Sequence, residues 1–77
     1  MNTRMRIPTS AQIAGLEKRY VGKRIRCISM PEDPHPVPPG TEGTIEMVDG
    51  IGQLIVKWDN GRSLSLIPGV DTFEVIQ

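Results

Sequence analysis

The sequence predicts a mainly β domain, a compact five-stranded barrel preceded by one α-helix, and three observations carry that expectation. Across Gln53 to Arg62, QLIVKWDNGR, the residues Leu54, Val56 and Trp58 alternate with Gln53, Ile55 and Lys57, so a strand here buries one face and leaves the other in water. Asp59-Asn60-Gly61-Arg62 then supplies a turn whose central pair tolerates positive φ, as a tight two-residue hairpin needs, and Leu64 and Leu66 resume the alternation beyond it. Other short strand-like segments follow one another at close spacing, with glycine turns between them, in a chain of 77 residues that has room for a single small core.

In chain order, Met1 to Ile7 has no periodicity, which predicts a flexible N-terminal arm over residues 1–8. A helix is expected over 9–21. Thr9 and Gln12 have capping-box spacing, and Ile13, Leu16 and Tyr20 at i, i+3 and i+7 form one apolar stripe. Gly15 costs such a helix on the order of 1 kcal/mol relative to alanine, and a helix this short is marginal alone, so it must dock on the barrel or on a second copy. Lys18 and Arg19 suit its last turn, and Gly22 stands where a left-handed cap residue belongs.

The barrel is expected over 22–77. Its first strand, Lys23 to Met30, sets Ile25 and Cys27 on one face against Arg24 and Arg26 on the other. Ile28 and Met30 fall on the arginine face, which requires either a bulge or an apolar strip beside the arginines. Pro31 to Gly40 holds five of the seven prolines, too many missing donors for a central strand, and reads as a stiff loop. Pro39-Gly40 suits the centre of a type II turn into a second strand, Thr41 to Asp49. There Ile45 and Val48 are three apart, so a bulge or bend is expected unless Met47 points inward. Ser63 to Ile67 is the fourth strand, Pro68 to Asp71 a turn, and Phe73 to Ile76 the last strand. The expected core is Ile25, Ile45, Leu54, Val56, Trp58, Leu64 and Leu66.

Charge is balanced in total but not along the chain. Through Arg26 the net charge is +6, with Glu17 the one acid, and from Cys27 onward it is −6, with Lys57 and Arg62 the only bases. Either the basic third touches phosphate or an acidic partner, or it folds against the acidic remainder and the two neutralise each other. One cysteine excludes an internal disulfide and a multi-cysteine zinc site and fits a reducing, cytoplasmic setting. No run is long and apolar enough for a membrane span or a signal peptide, so a soluble protein without membrane contact is expected.

Nothing in the sequence pairs as nucleophile and base. His35 sits on the proline loop without metal-ligand spacing, Cys27 reads as a small buried apolar residue, and no glycine-rich phosphate cradle is present. Asp49, Asp59 and Asp71 read as turn formers that accept from their own backbone. The expectation is no enzyme, no catalytic residue, no metal site and no cofactor.

The run PPGTEGTIEMVDGIGQLIVKWDNGRSLSLIPGVDTFEVI, with LEKRYVGKRIRCISM before it, resembles a family of small bacterial and phage-borne proteins known as domain of unknown function four-three-one-four. The resemblance spans roughly Leu16 to Ile76 and implies no established activity and no functional residues to carry over. GTIEMVDGIGQLIVKWDNG is also similar, more loosely, to strand pairs of SH3-like barrels in nucleic-acid- and protein-binding modules.

Two binding functions follow as expectations. In the first, the proline loop and the hairpin flank a shallow surface that engages a protein or peptide. In the second, Arg4, Arg6, Lys23, Arg24 and Arg26 form a phosphate-facing stripe for nucleic acid. Aromatic residues are only Tyr20, Trp58 and Phe73, of which Tyr20 and Trp58 are already assigned to packing, so base stacking lacks platforms and the protein partner is favoured. The candidate surface is Arg24, Arg26, His35, Val37, Lys57, Asn60 and Arg62, on a monomer or weak homo-oligomer.

Overall fold

In the computed structural model, which describes residues 7–77, a helix α1 (Ser10–Tyr20) leads into strands β1 (Arg24–Ser29), β2 (Glu42–Val48), β3 (Leu54–Trp58) and β4 (Thr72–Val75). The sheet is antiparallel with order β3-β2-β1-β4. Most of the expected flexible arm, and with it Arg4 and Arg6, lies outside the described residues. Pro8 is half-buried in the seam beside Gly52.

The capping box forms as its spacing demands: the Gln12 amide donates to Thr9 Oγ1 at 3.1 Å, and the Thr9 amide to Gln12 Oε1 at 2.8 Å. Ile13, Leu16 and Tyr20 pack on the core of the same chain, with Tyr20 edge-on to Phe73 at 5.6 Å between ring centres. Gly22 has the expected positive φ of 88°. Val21 before it is extended, so the chain leaves the helix through a turn closed by the Lys23 amide on the Tyr20 carbonyl, without a left-handed helical cap.

Both breaks in alternation resolve as bulges. The β1–β4 register shifts between Cys27 and Ser29, which leaves Ile28 exposed and returns Met30 to the core. The β2–β3 register shifts between Ile45 and Met47, so Ile45 and Val48 are both buried and Met47 faces out.

Two expectations about strands require correction. Among the described residues four strands form, not five: Ser63 to Ile67 runs beside β3 only through isolated bridges, Leu54 to Leu66 and Lys57 to Ser63. Between those bridges the Leu64 carbonyl accepts the Trp58 indole N–H at 2.8 Å, so it is spent on a side chain and the ladder is interrupted. The hairpin turn is also centred one residue earlier than expected. Asp59 and Asn60 are its central pair, the Gly61 amide closes it on the Trp58 carbonyl at 3.0 Å, and Gly61 alone takes positive φ.

The core contains Ile25, Ile45, Leu54, Val56, Trp58 and Leu66 as expected, joined by Cys27, Met30, Val37 and Val48; Leu64 is only half-buried. Gly43 makes room for Trp58. A Cβ there would stand 2.8 Å from the Lys57 carbonyl oxygen and from Val56 Cγ1, closer than side chains come, and a tight 3.0 Å from the indole ring.

Candidate interaction surfaces

The expected basic stripe on β1 is neutralised from within the chain. Arg24 and Arg26 point to the outer face of the sheet, and cross-strand register brings carboxylates to them. Arg24 grips Asp59 in a two-pronged contact, Nη1 to Oδ1 at 2.8 Å and Nη2 to Oδ2 at 2.7 Å, and also donates to Thr44 and to Glu42 Oε1. Arg26 takes the other Glu42 oxygen at 3.2 Å and Glu74 at 3.1 Å. The Arg24 guanidinium, chiefly through its hydrogen bond, holds the Asp59 carboxyl below its ordinary range, and Asp59 in turn raises Arg24. Asp59 therefore is not the backbone-bonding turn former that the sequence implied. Asp49 and Asp71 are: Asp49 Oδ1 accepts from the Ile51 and Gln53 amides, and Asp71 Oδ2 from the Ile67 amide.

The proline loop and hairpin do meet. Asn60 Oδ1 accepts the Arg62 amide, and the Arg62 guanidinium reaches across to donate to the carbonyl oxygens of His35 and Pro36. His35, Lys57, Asn60 and Arg62 are exposed along this rim, and the Asp33 carboxylate accepts the His35 amide at 2.8 Å. Val37 is a correction to the candidate surface. It is 1% exposed, because the loop folds its side chain into the core with Cys27. The Gly40 amide to Cys27 carbonyl and Cys27 amide to Thr41 carbonyl bonds, each 2.8 Å, pin it there. Burial pushes the Cys27 thiol pKa up, away from the thiolate form that reactive cysteines use, and the residue packs in the core.

A second surface was missed. Between α1 and the turns at 49–53 and 67–70 lies a groove of about 760 Å³, walled by Pro8, Leu16, Ile51, Ile67, Pro68 and Val70, with Gly15 in its lining and Arg19 at one end. A separate hollow against β4 shares Arg19 and Val70 with it. Ile51 and Ile67 are 53% and 39% exposed, large apolar side chains in turns where polar residues are the rule. That incongruity, together with Gly15 in a helix, was the available signal in the sequence. Among the described residues no group of His, Cys, Asp and Glu is arranged to hold a metal, and no helix is long and apolar enough to cross a membrane.

These features define a small mainly β protein, a four-stranded antiparallel sheet with one docked helix and no metal-ligating cluster among the described residues. Residues 9–76 match the model of the family described as Domain of unknown function (DUF4314), and the chain belongs to that family. No curated protein matches it.

Proposed function

We propose that the protein is a non-catalytic binding module whose ligand is another protein, engaged along the rim where the proline loop meets the hairpin. The observation that carries this reading is Arg62, whose guanidinium joins the turn to the His35 and Pro36 carbonyls and makes two loops distant in sequence into one preformed ridge. A ridge already ordered binds without the entropy cost of arranging itself. The nucleic-acid reading loses support on β1, where Arg24 and Arg26 are matched by Glu42, Asp59 and Glu74. Three carboxylates pair with the two guanidiniums, so neither is free to meet a phosphate there.

The architecture goes with an SH3-like barrel left open. Support comes from the segment 63–66, which the isolated bridges set outside β3, so that five segments follow one another in the order expected of a meander closed by its last strand against its first. A reducing, cytoplasmic setting also suits the chain, since its one cysteine is buried.

A photo-crosslinking residue placed at Asn60 tests the reading. Protein adducts should form in cells and be lost with Arg62→Glu, yet survive Arg24→Gln combined with Arg26→Gln. The reading fails if a short DNA duplex instead shifts the nuclear resonances of β1, with affinity falling in salt at a log-log slope of about −0.9 for each phosphate engaged.

A further inference from the structure

We infer that the groove between α1 and the turns at 49–53 and 67–70 is a second docking site, for a short apolar segment of a partner protein that carries a carboxylate. It shares no lining residue with the hollow at the hairpin, so it goes beyond the rim described above and stands or falls separately.

Three observations converge on this occupant. The walls are mainly apolar, with Gln12 and Gln53 among them, and Ile51 and Ile67 are left 53% and 39% exposed by the described chain. Burying them on association is the favourable step that folding leaves undone.

Among the described residues nothing requires glycine at position 15. A Cβ at this position would meet nothing within 4 Å, and φ is not in the left-handed region. The helix nonetheless bears the roughly 1 kcal/mol that glycine costs relative to alanine. An occupant lying close against the helix backbone gives that residue a role.

Arg19 sets the charge. Among the described residues it is the one charged side chain in the lining, and no described carboxylate lies within ion-pair reach of it. Its guanidinium instead lies over the Tyr20 ring, 5.3 Å from the centroid, held at the end of the groove. A carboxylate on the occupant completes that site. The chain's own first six residues supply two arginines and no acid, the wrong complement for it. The walls are also rigid: the capping box fixes the start of α1, Asp49 clamps the 49–53 turn, Asp71 clamps the 67–71 turn, and Gly52 abuts Pro8.

The test is selection of a phage-displayed library of random heptapeptides on the full chain, followed by titration of the enriched peptides into isotope-labelled protein. Apolar peptides with an aspartate or glutamate should be enriched and should shift Leu16, Ile51, Ile67 and Val70. Gly15→Leu, which favours the helix and raises the melting temperature, should weaken them at least tenfold. Arg19→Glu should reverse the preference, enriching lysine or arginine in place of the acid. Failure to enrich, enrichment indifferent to Arg19→Glu, or shifts confined to the hairpin would overturn the inference. So would Overhauser contacts from residues 1–6 to Ile51, or a concentration-dependent dimer abolished by Gly15→Leu, since the groove would then belong to the chain itself or to a second copy.

Discussion

Along β1, Ile25 and Cys27 are at most 1% exposed on one face of the sheet, while Arg24 and Arg26, one residue away in each case, spread their guanidiniums over the other. The inner face is specified by shape. Trp58, Ile25, Ile45, Leu54 and Leu66 are fully enclosed, and Gly43 is glycine because the indole and the β3 backbone occupy the space a methyl would take. The outer face is specified by charge: Asp59, Arg24, Glu42, Arg26 and Glu74 alternate in sign across three strands and the hairpin turn, all in contact with water. Stability is concentrated on the first face, since solvent weakens each exposed pair. On the second face the chain's own carboxylates pair with both guanidiniums.

The contrast breaks most visibly at Trp58. Trp58→Ala removes the largest buried side chain and leaves the Leu64 carbonyl without its donor. A loss of roughly 3–5 kcal/mol is expected, enough to unfold a domain of this size, and chemical denaturation followed by circular dichroism reads it directly. A variant that stays folded with an unchanged midpoint would place the core elsewhere. Gly43→Ala comes next. One of the two nearest obstructing atoms is a backbone carbonyl, which cannot swing aside as a side-chain tip would, so overpacking should cost about 1–3 kcal/mol. A neutral outcome would mean that β2 and β3 can part without penalty, contrary to the tight register between Gly43 and Trp58.

How much of this was legible differs between the faces for a physical reason. The inner face repeats every two residues, so Leu54, Val56 and Trp58 declared it, and the breaks at Ile28 to Met30 and Ile45 to Val48 marked the bulges. Val37 was not read this way, because a proline-rich loop has no period to mark a face, although Val37 is the one aliphatic residue other than proline between Pro31 and Gly40. Leu64 kept the alternation but lost the ladder when its carbonyl turned to the Trp58 indole. The pairing of Arg24 with Asp59 joins residues 35 apart, and Asp59 in a turn reads equally well as a backbone-bonding aspartate. Opposite blocks of charge declared that neutralisation was possible without saying which groups would meet. The apolar groove is assembled from α1 and two turns far from it in sequence, and the turns at 49–53 and 67–70 are too short to show a pattern alone.

The smallest effect sharpens the comparison from the charged side. Asp59 has its pKa lowered by the hydrogen bond from Arg24, so the folded state holds this proton less tightly than the unfolded chain does. A depressed carboxylate contributes stability that is present above its unfolded pKa, near 3.9, and is lost as the pH falls below that value through the folded pKa. The raised pKa of Arg24 works in the opposite sense, lost only at strongly alkaline pH, and leaves the acid range untouched. Melting temperature should therefore decline between about pH 5 and pH 2 in the parent chain, and Asp59→Asn should flatten part of that decline while slightly lowering the plateau near neutrality. High salt should shrink the difference between the two proteins, because all of these groups are in contact with solvent. An identical acid profile in both would show that Arg24 is held by Glu42 and Thr44 alone, and that the hairpin carboxylate takes no part in neutralising β1.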